Sequence, residues 1–374
     1  MPRTPRMLEP LLRLAVVPKV GPGRMGTLLA HFGSPERVLG ATAAELARLP
    51  GFGPEMARRV VEAGTAVGGE RAREALGRME RVGAVAITPD DAEYPASFRA
   101  LPDPPFLLFA CGRLELLATA GIGVVGTREP TSYGRQAAAS LSAELARAGY
   151  TIVSGMAKGI DAAAHAAALE AGGGTVGVLG QGIDRVYPPE NGRLFARVRD
   201  SGLLLTEMAP GEDPNAGNFP RRNRLIAALS AGVLVVEMGE RSGARHTVEY
   251  ALELGREVFA VPGQIGSAAS AGTNQLLKEG ARLVTSARDV LEELRGVGTV
   301  TPLAAAPVAP PAPEPPRLDA EEARVFTALA AEPRHVDELA TESGLEARTV
   351  LAALLGLEMR ELCEALPGKH FRRL

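Results

Sequence analysis

Short apolar segments alternate with helical segments along residues 84–295. This alternation predicts an α/β domain, because parallel strands need long return connections that usually form helices over both faces of the sheet. Ligands of such sheets bind at the carboxyl ends of the strands, so functional residues are expected directly after them. The predicted strands are 84–87, 106–110, 121–126, 151–154, 175–179, 203–205, 233–237, 257–261 and 282–284. The predicted helices are 132–148, 160–171, 190–200, 221–230, 246–254, 273–279 and 287–295.

Residues 1–82 are predicted to form a separate helical domain with an internal near-repeat, VGPG (20–23) and then LPGFG (49–53). The second copy resembles a helix-hairpin-helix motif. In that motif Gly51 and Gly53 would expose backbone N–H groups at a helix start, where they can hold a DNA phosphate. Arg58 and Arg59 would follow on the helix. An αα-hairpin that serves only for packing is the alternative.

The C-terminal part begins after a proline-rich stretch. Residues 302–316 contain seven prolines and no aromatic residue, a composition that favours extended chain and cannot form a core. We therefore predict a linker at 296–317. Residues 318–374 read as three helices followed by a hairpin that turns at Pro367 and Gly368, which is a winged-helix pattern.

Composition excludes several classes of protein. The 374 residues include two cysteines, too few for a disulfide scaffold, and five scattered histidines without metal-ligand spacing. No metal site is therefore expected. No apolar run approaches the ~18 residues of a membrane helix, and Glu9, Pro10 and Arg13 interrupt any signal-peptide core. We expect a cytoplasmic protein without membrane contact.

The stretch GIGVVG (121–126) matches the glycine spacing of a dinucleotide-binding fingerprint. In that fingerprint the glycines follow the strand, whereas here Val124 and Val125 belong to the strand itself. No acidic residue closes a second strand at the required distance. NAD, FAD and other cofactors are therefore not expected.

Two strand ends combine glycine with a basic side chain. VGTR (125–128) places Gly126 and Arg128 after one strand, and SGMAKG (154–159) places Lys158 in the loop after the next. Exposed N–H groups beside a cation favour phosphate binding.

The segment FPRRNRLI (219–226) concentrates three arginines, Arg221, Arg222 and Arg224, at a predicted loop-to-helix start. Arginine contacts phosphate, Phe219 can stack on a base, and Asn223 can hydrogen-bond a base edge or a sugar. A solvated charge cluster is the alternative. The apolar helix that follows favours the interpretation that the cluster is held at the rim of the sheet.

Asp161 and His165 lie four positions apart on one predicted helix. A hydrogen-bonded acid–base pair is one interpretation. We favour structural roles, with Asp161 capping the helix and His165 bracing it, because the sequence offers no nucleophile or metal partner.

Three further segments, 237–251, 261–263 and 272–281, again place Gly, Ser, Thr or Asn after a strand. Five strand ends thus offer loops suited to phosphate. One mononucleotide would not need so many, whereas an extended polyanion would.

The order of these motifs resembles the DprA family, also called Smf. The resemblance covers residues 90–285 and is carried by YPxxFRxLPDPP, VGTR…YG, SGMAKGIDAAAH, LGQGIDRVYPPEN, FPRRNRLIAAL and VPG…GTNQLLKEGA. It implies an extended Rossmann-like core at 83–295 that forms a homodimer. It also implies a bacterial protein that binds incoming single-stranded DNA, protects it and loads the RecA recombinase during natural transformation.

The resemblance also implies which positions contact DNA. The implied positions are Gly126, Arg128, Lys158, Phe219, Arg222, Asn223, Arg224 and Asn274. We add Arg221 to these positions, although it lies where the family pattern varies.

The chain departs from the family pattern at two segments. TEMAPG (206–211) stands where the family has Ser-Glu-Tyr/His-Pro, and SGARHTVEYA (242–251) carries Arg245, His246 and Glu249 in place of an aliphatic stretch. These departures put details of the pocket rim in doubt.

Glu249 suggests the alternative function. Thr247-Val248-Glu249 faintly resembles the GGxGTxxE site of nucleoside-monophosphate phosphoribohydrolases, which have a related Rossmann-like core. That site needs adjacent glycines before the threonine, and here the loop reads SGAR (242–245). We therefore expect a binding protein and not an enzyme.

Charge is distributed unevenly around the formal net charge of −3. Residues 1–82 carry 13 Lys or Arg against 8 Asp or Glu, whereas residues 318–374 carry 7 against 11. An acidic winged helix is poorly suited to grip phosphates. A protein-interaction role is favoured for it over duplex binding.

The fragment 318–374 is accordingly expected to show little affinity for duplex DNA at moderate salt. Its candidate recognition helix presents a long apolar face and few cations. A gel shift with a duplex oligonucleotide measures this, and clear duplex binding by the fragment would contradict the protein-interaction role.

Overall fold

The computed structural model describes residues 5–240, 242–295, 318–330, 333–358, 362–366 and 368–373. The chain divides into two compact units, Met1–Ala306 and Pro307–Leu374. The predicted linker at 296–317 lies outside the described residues.

The first unit begins with a helical domain. Proline at the first turn starts its second, third and fifth helices, where the missing N–H costs no hydrogen bond. Gly33 and Gly83 end two helices with φ of 83° and 67°, a conformation that favours glycine. A core that includes Leu14, Met25 and Leu28 holds the hairpins together. The helices are α1 Pro5–Ala15, α2 Pro22–Phe32, α3 Pro35–Leu39, α4 Ala43–Leu46, α5 Pro54–Ala63 and α6 Ala66–Val82.

A nine-stranded sheet forms the centre of the first unit. Its strands are β1 Val85–Ile87, β2 Leu108–Gly112, β3 Gly121–Val125, β4 Thr151–Ser154, β5 Thr175–Val178, β6 Leu203–Thr206, β7 Ser230–Val235, β8 Glu257–Ala260 and β9 Arg282–Leu283. They lie in the order β1-β2-β6-β5-β4-β3-β7-β8-β9. Strands β3 to β9 pair in parallel, and β1 and β2 add an antiparallel edge. The predicted mainly parallel α/β fold is confirmed.

In the described part of this unit, seven helices cover the sheet. They are α7 Ser132–Arg147, α8 Ile160–Glu170, α9 Gly192–Ser201, α10 Asn218–Ala228, α11 Ala244–Glu253, α12 Ala271–Lys278 and α13 Ala287–Glu293. Helices α7, α8 and α13 share one core with Ile122 and Phe259, whereas α10, α11 and α12 share another with Val233. Helix α9 packs with α1 and α6 of the helical domain in a third core. The helical domain is therefore packed directly onto the sheet domain.

The strand order creates a crevice between β3 and β7. The chain runs outward from β3 through β4, β5 and β6, and then returns to place β7 on the other side of β3. The connections after β3 and β7 lead to opposite sides of the sheet, and this opens a crevice at the carboxyl ends of the two strands. Ligands of such sheets bind at this crevice. Helix α10 begins at Asn218 and not at the predicted 221, so the arginine cluster lies within the helix.

The second unit, over its described residues, combines three helices with a small sheet. Its elements are α14 Ala320–Ala328, β10 Arg334–His335, α15 Val336–Ser343, α16 Ala347–Glu358, β11 Cys363–Leu366 and β12 His370–Arg373. The strands lie in the order β10-β12-β11, as in a winged helix. Pro367 of the predicted turn lies outside the described residues. Helix α16 exposes Leu351 and Leu355, an apolar face where a DNA-reading helix would carry polar side chains.

Throughout the part of the chain that the structure describes, every helix is too short or too polar to cross a lipid bilayer.

Candidate nucleic-acid interface

A cleft of about 680 Å³ opens at the carboxyl ends of β3, β4 and β7, at the crevice between β3 and β7. We call it the strand-end cleft. Helix α10 forms one wall, and the loops after β3 and β7 form the others. Its lining includes Gly126, Thr127, Arg128, Asp161, Tyr187, Phe219, Arg222, Asn223, Ser242 and Thr247.

Gly126 follows β3 at the edge of the cleft, where a side chain would not fit. A Cβ atom there would lie 2.6 Å from Ile160 Cγ1 and 2.7 Å from the carbonyl oxygen of Glu237. Both distances are far inside van der Waals contact. Because Gly126 has no side chain, the backbone of 126–128 can pack closely against the start of α8. This packing leaves space in the cleft for a ligand.

Arg222 is buried at the base of the cleft. Its guanidinium donates to the carbonyl oxygen of Gly155 at 2.8 Å and to that of Val178, and its Nε donates to Asn223 Oδ1 at 3.2 Å. Burial lowers the pKa of Arg222 to about 10, while the nearby Asp161 opposes this shift. Arg222 is therefore still protonated at neutral pH.

Asp161 provides the matching negative charge. Its carboxylate accepts the N–H groups of Gly155 at 3.0 Å and Ala157 at 3.3 Å. Burial raises the pKa of this carboxyl group, and Arg222 and the two backbone donors oppose the rise. The pair fixes the loop after β4 against the base of the cleft.

An aromatic pair forms the rim of the cleft. Tyr187 stacks on Phe219 with ring centroids 5.4 Å apart and an interplanar angle of 26°. The guanidinium of Arg128 lies 5.7 Å from the centroid of Phe219. Arg128 is exposed and forms no salt bridge with a carboxylate of the described residues. The rim thus joins an unneutralised cation to a stacking surface.

Tyr187 was not assigned by sequence reasoning, although the signal was present. It follows β5 in the segment LGQGIDRVYPPEN, so it is an aromatic residue after a strand end, like Phe219. Its side chain is 37% exposed and therefore accessible to a ligand.

Lys158 lines a smaller pocket of about 60 Å³ that shares Arg128, Tyr187 and Phe219 with the strand-end cleft. Its ammonium group pairs with Glu190. A phosphate that binds Lys158 must therefore compete with this carboxylate.

Arg221 and Arg224 lie away from the strand-end cleft. Arg224 is 3% exposed, and its Nη2 pairs with Glu207 Oε2 at 2.5 Å. Arg221 Nε reaches the other oxygen of Glu207 at 3.1 Å, and the Arg221 guanidinium packs over Gly21 of the helical domain. Burial raises the pKa of Glu207, and the two arginines oppose it. The structure thus gives both arginines a structural ion pair, and their contact with DNA stays a prediction.

Asn274, whose predicted DNA contact stays a prediction, forms a contact within the protein. Its side chain donates to the carbonyl oxygen of Gly263 and accepts the Gly263 N–H, both at 3.1 Å. Asn274 is not among the residues that line the strand-end cleft.

Asp161 and His165 do not form an acid–base pair. The Thr175 hydroxyl donates to the carbonyl oxygen of Ile152 at 2.9 Å, so it accepts from His165 Nδ1 at 2.7 Å. His165 Nε2 is buried without a hydrogen-bond partner among the described residues. Burial, followed by the charge of Arg222, lowers the pKa of His165 to about 3. His165 is a neutral bracing residue, the role that the sequence analysis favoured. The expectation that Asp161 caps α8 is wrong, because the N-cap is Gly159 and the Asp161 carboxylate accepts from the preceding loop.

The hairpin residues of the helical domain form a separate feature. Gly51 adopts φ of 79°, and Gly53 is the N-cap of α5. Arg58 is exposed on α5, whereas Arg59 pairs with Glu55. The start of α5 at Gly53 is therefore exposed, on the same helix as the exposed Arg58.

Glu249 lies on the surface outside the strand-end cleft. Its carboxylate is 3.2 Å from His246 Nδ1 and 3.9 Å from Arg245 Nε. Thr247 of the same segment lines the cleft. Within the described residues, no group of three or more His, Cys, Asp or Glu side chains could hold a metal ion.

Three family models match consecutive parts of the chain. The model described as DNA recombination-mediator protein A matches residues 85–295, the DprA winged helix domain matches 309–369, and the SAM-like helix-hairpin-helix tandem matches 11–63.

Known proteins resemble the chain over most of its length. Protein Smf of Synechocystis sp. is 33% identical over 95% of this chain and 96% of its own. The structure of DNA processing protein A from Streptococcus pneumoniae matches with a TM-score of 0.62 and 34% identity, over 78% of this chain and 99% of its own. DNA processing protein A from Helicobacter pylori, described for its single-stranded DNA binding mode, matches with a TM-score of 0.52 and 31% identity, over 57% and 97%.

Because His165 is buried and neutral in the folded protein, we predict that the free energy of unfolding depends on pH. The pKa of histidine in an unfolded chain is ~6.5, and that of buried His165 is about 3. Between these values the unfolded chain binds more protons, so the free energy of unfolding falls as pH drops below 6.5. The slope contributed by this one group is at most ~1.4 kcal/mol per pH unit.

Urea unfolding of the wild type and of His165→Gln between pH 7 and 5 measures this contribution. Other titrating groups, Asp161 included, are common to both proteins, so the difference in slope isolates His165. The wild type should lose stability faster than the variant as pH falls. Parallel pH profiles would show that His165 titrates normally.

Proposed function

The chain belongs to the DNA recombination-mediator protein A family, known as DprA or Smf, and on that premise we propose that it binds single-stranded DNA without reading sequence. We further propose that it protects the strand and helps to load the RecA recombinase in natural transformation and recombination, as a cytoplasmic homodimer. Single-stranded DNA binding by the Helicobacter pylori relative supports the first part. Recombinase loading and dimer formation are proposed from family membership alone.

One observation carries the proposal: the stacked rings of Tyr187 and Phe219 beside the unneutralised guanidinium of Arg128. Every base has a flat face that can stack on an aromatic ring, and every nucleotide has a phosphate. A site built from these two contacts binds any sequence. It also selects single strands, because the faces of duplex bases are already stacked on one another.

The volume of the cleft, about 680 Å³, allows more than one nucleotide to be held. Beyond the rim, the hydroxyl groups of Ser242 and Thr247 can hydrogen-bond a ligand near the end of β7. As a secondary contact we propose the turn at Gly51 and Gly53 with Arg58. There the exposed start of α5 lies in a domain of net positive charge, and a helix start of this kind favours anions.

Arg128→Ala tests the cleft directly. The substitution removes the exposed cation from the rim, so affinity for an oligo-dT should fall on the order of tenfold or more. The slope of log K against log salt should become shallower by about 0.7 for each phosphate that the variant no longer neutralises. Fluorescence anisotropy titrations at several salt concentrations measure both quantities.

Arg147→Ala is the matched control, because Arg147 is an exposed arginine at the far end of α7. Arg224→Ala is unsuited to this test, since it would leave Glu207 buried without its closest partner. A folded Arg128→Ala protein with wild-type affinity and salt slope would reject the cleft as the binding site.

We propose binding and not catalysis as the activity of the cleft, against the phosphoribohydrolase alternative. The supporting observation is that Glu249, the residue that suggested hydrolysis, is on the surface and paired with His246. The wild type should release no free base from nucleoside monophosphates, as followed by chromatography. Base release that disappears in Glu249→Gln would overturn this assignment.

A further inference from the structure

A second cavity opens at the same edge of the sheet, where α7 begins and β8 ends. Its volume is about 630 Å³, similar to that of the strand-end cleft. We call it the Tyr133 pocket. It is lined by Thr131, Ser132, Tyr133, Glu237, Pro262, Gly263, Gln264, Ser267 and Ser270.

Tyr133 forms a fixed aromatic wall of this pocket. Its side chain is 51% exposed, and its hydroxyl donates to the carbonyl oxygen of Pro262 at 2.9 Å. A hydrogen bond at the tip of the ring and the helix at its base hold the ring at both ends. A ligand that stacks on a fixed ring loses less free energy to side-chain ordering.

The opposite wall is also held in place. Asn274 clamps both backbone groups of Gly263, and a Cβ atom on Gly263 would overlap the Ser270 hydroxyl. The loop that follows β8 therefore starts from a fixed position. Asn274 acts here as a positioning residue for the pocket.

The pocket suits an uncharged ligand. Among the described residues that line the pocket, Glu237 alone is charged. The Glu237 carboxylate is 1% exposed and accepts the Thr131 N–H at 2.8 Å and the Thr131 hydroxyl at 2.7 Å. None of these described residues is a cation that could hold a phosphate or carboxylate. The remaining polar groups are serine hydroxyls and the amide of Gln264, which can hydrogen-bond any base edge.

The Tyr133 pocket adjoins the strand-end cleft through one short segment. The cleft is lined up to Glu129, and the pocket is lined from Thr131 onward. Two residues of chain span at most about 7 Å, which is comparable with one step between nucleotides of an extended strand. A strand that leaves the cleft at this side meets Tyr133 next.

We propose that the Tyr133 pocket is a second base-binding site, in which Tyr133 stacks on an unpaired base of the same strand that occupies the strand-end cleft. This inference rests on the proposed function. The neutral pocket takes a base, while the cation that holds the neighbouring phosphate is Arg128 of the cleft.

Photo-crosslinking with the full-length chain tests the location. Oligo-dT strands that carry one 5-iodo-deoxyuridine at successive positions are irradiated, and the linked peptides are identified by mass spectrometry. Links to Tyr133 should arise from positions next to those that link to Tyr187 or Phe219. Links to Tyr187 or Phe219 without any link to Tyr133 would overturn the second site.

Affinity measurements with variants test the contribution of the ring. Tyr133→Ala should weaken binding on the order of tenfold for strands long enough to fill both cavities. Tyr133→Phe should weaken it less, because the ring remains. Gln136→Ala, an exposed neighbour on α7 outside the pocket lining, should have no effect.

The outcomes separate the two proposals. Weak binding by Arg128→Ala together with wild-type binding by Tyr133→Ala would reject the Tyr133 pocket and leave the strand-end cleft in place. Wild-type binding by both variants would reject the strand-end cleft, and the second site with it.

Discussion

The site depends on the hydrogen bonds that the buried guanidinium of Arg222 forms. This guanidinium joins α10 to the carbonyl oxygen of Gly155, directly after β4, and to that of Val178, where β5 ends, and it lies beside Asp161. A buried charge without partners costs several kcal/mol, so α10 has little freedom to shift or rotate. Because α10 is held in this way, Phe219 at its first turn reaches the rim of the cleft. The cation therefore acts mainly by positioning the surface that a ligand would meet.

Helix geometry divides the arginine cluster that looks continuous in the sequence. Successive residues of an α-helix point about 100° apart, so Arg221 and Arg224 share one side of α10 and Arg222 faces another. The first pair holds Glu207 and packs toward Gly21 of the helical domain. The arginine cluster 221–224 therefore builds the floor of the cleft and attaches the helical domain to the sheet domain.

The sequence predicted the fold well because hydrophobic period and strand–helix alternation are local signals. The rule that ligands bind at strand ends also located the cleft, with Gly126, Arg128 and Phe219 in its lining. Contacts between distant segments could not be predicted in this way. Nothing near Arg224 in the sequence indicates Glu207 as its partner, and nothing near Asn274 indicates Gly263, eleven positions earlier. Motif matching identified important positions. Whether the side chain at such a position contacts a ligand or supports the structure depends on the residues that lie next to it in the fold.

The ion-pair partners of the basic residues also show how a chain of net charge −3 could present the proposed site for a polyanion. Within the described core, carboxylates pair with Lys158, Arg221 and Arg224, which removes most of the cationic character of the motif residues. Arg128 keeps its charge exposed next to aromatic rings. If the proposed site has few unneutralised cations, binding releases few counterions and depends only weakly on salt. Stacking would then provide a large share of the affinity. A site of this kind retains a single strand as salt rises and has little hold on a duplex, whose phosphates it could meet but whose base faces it cannot reach.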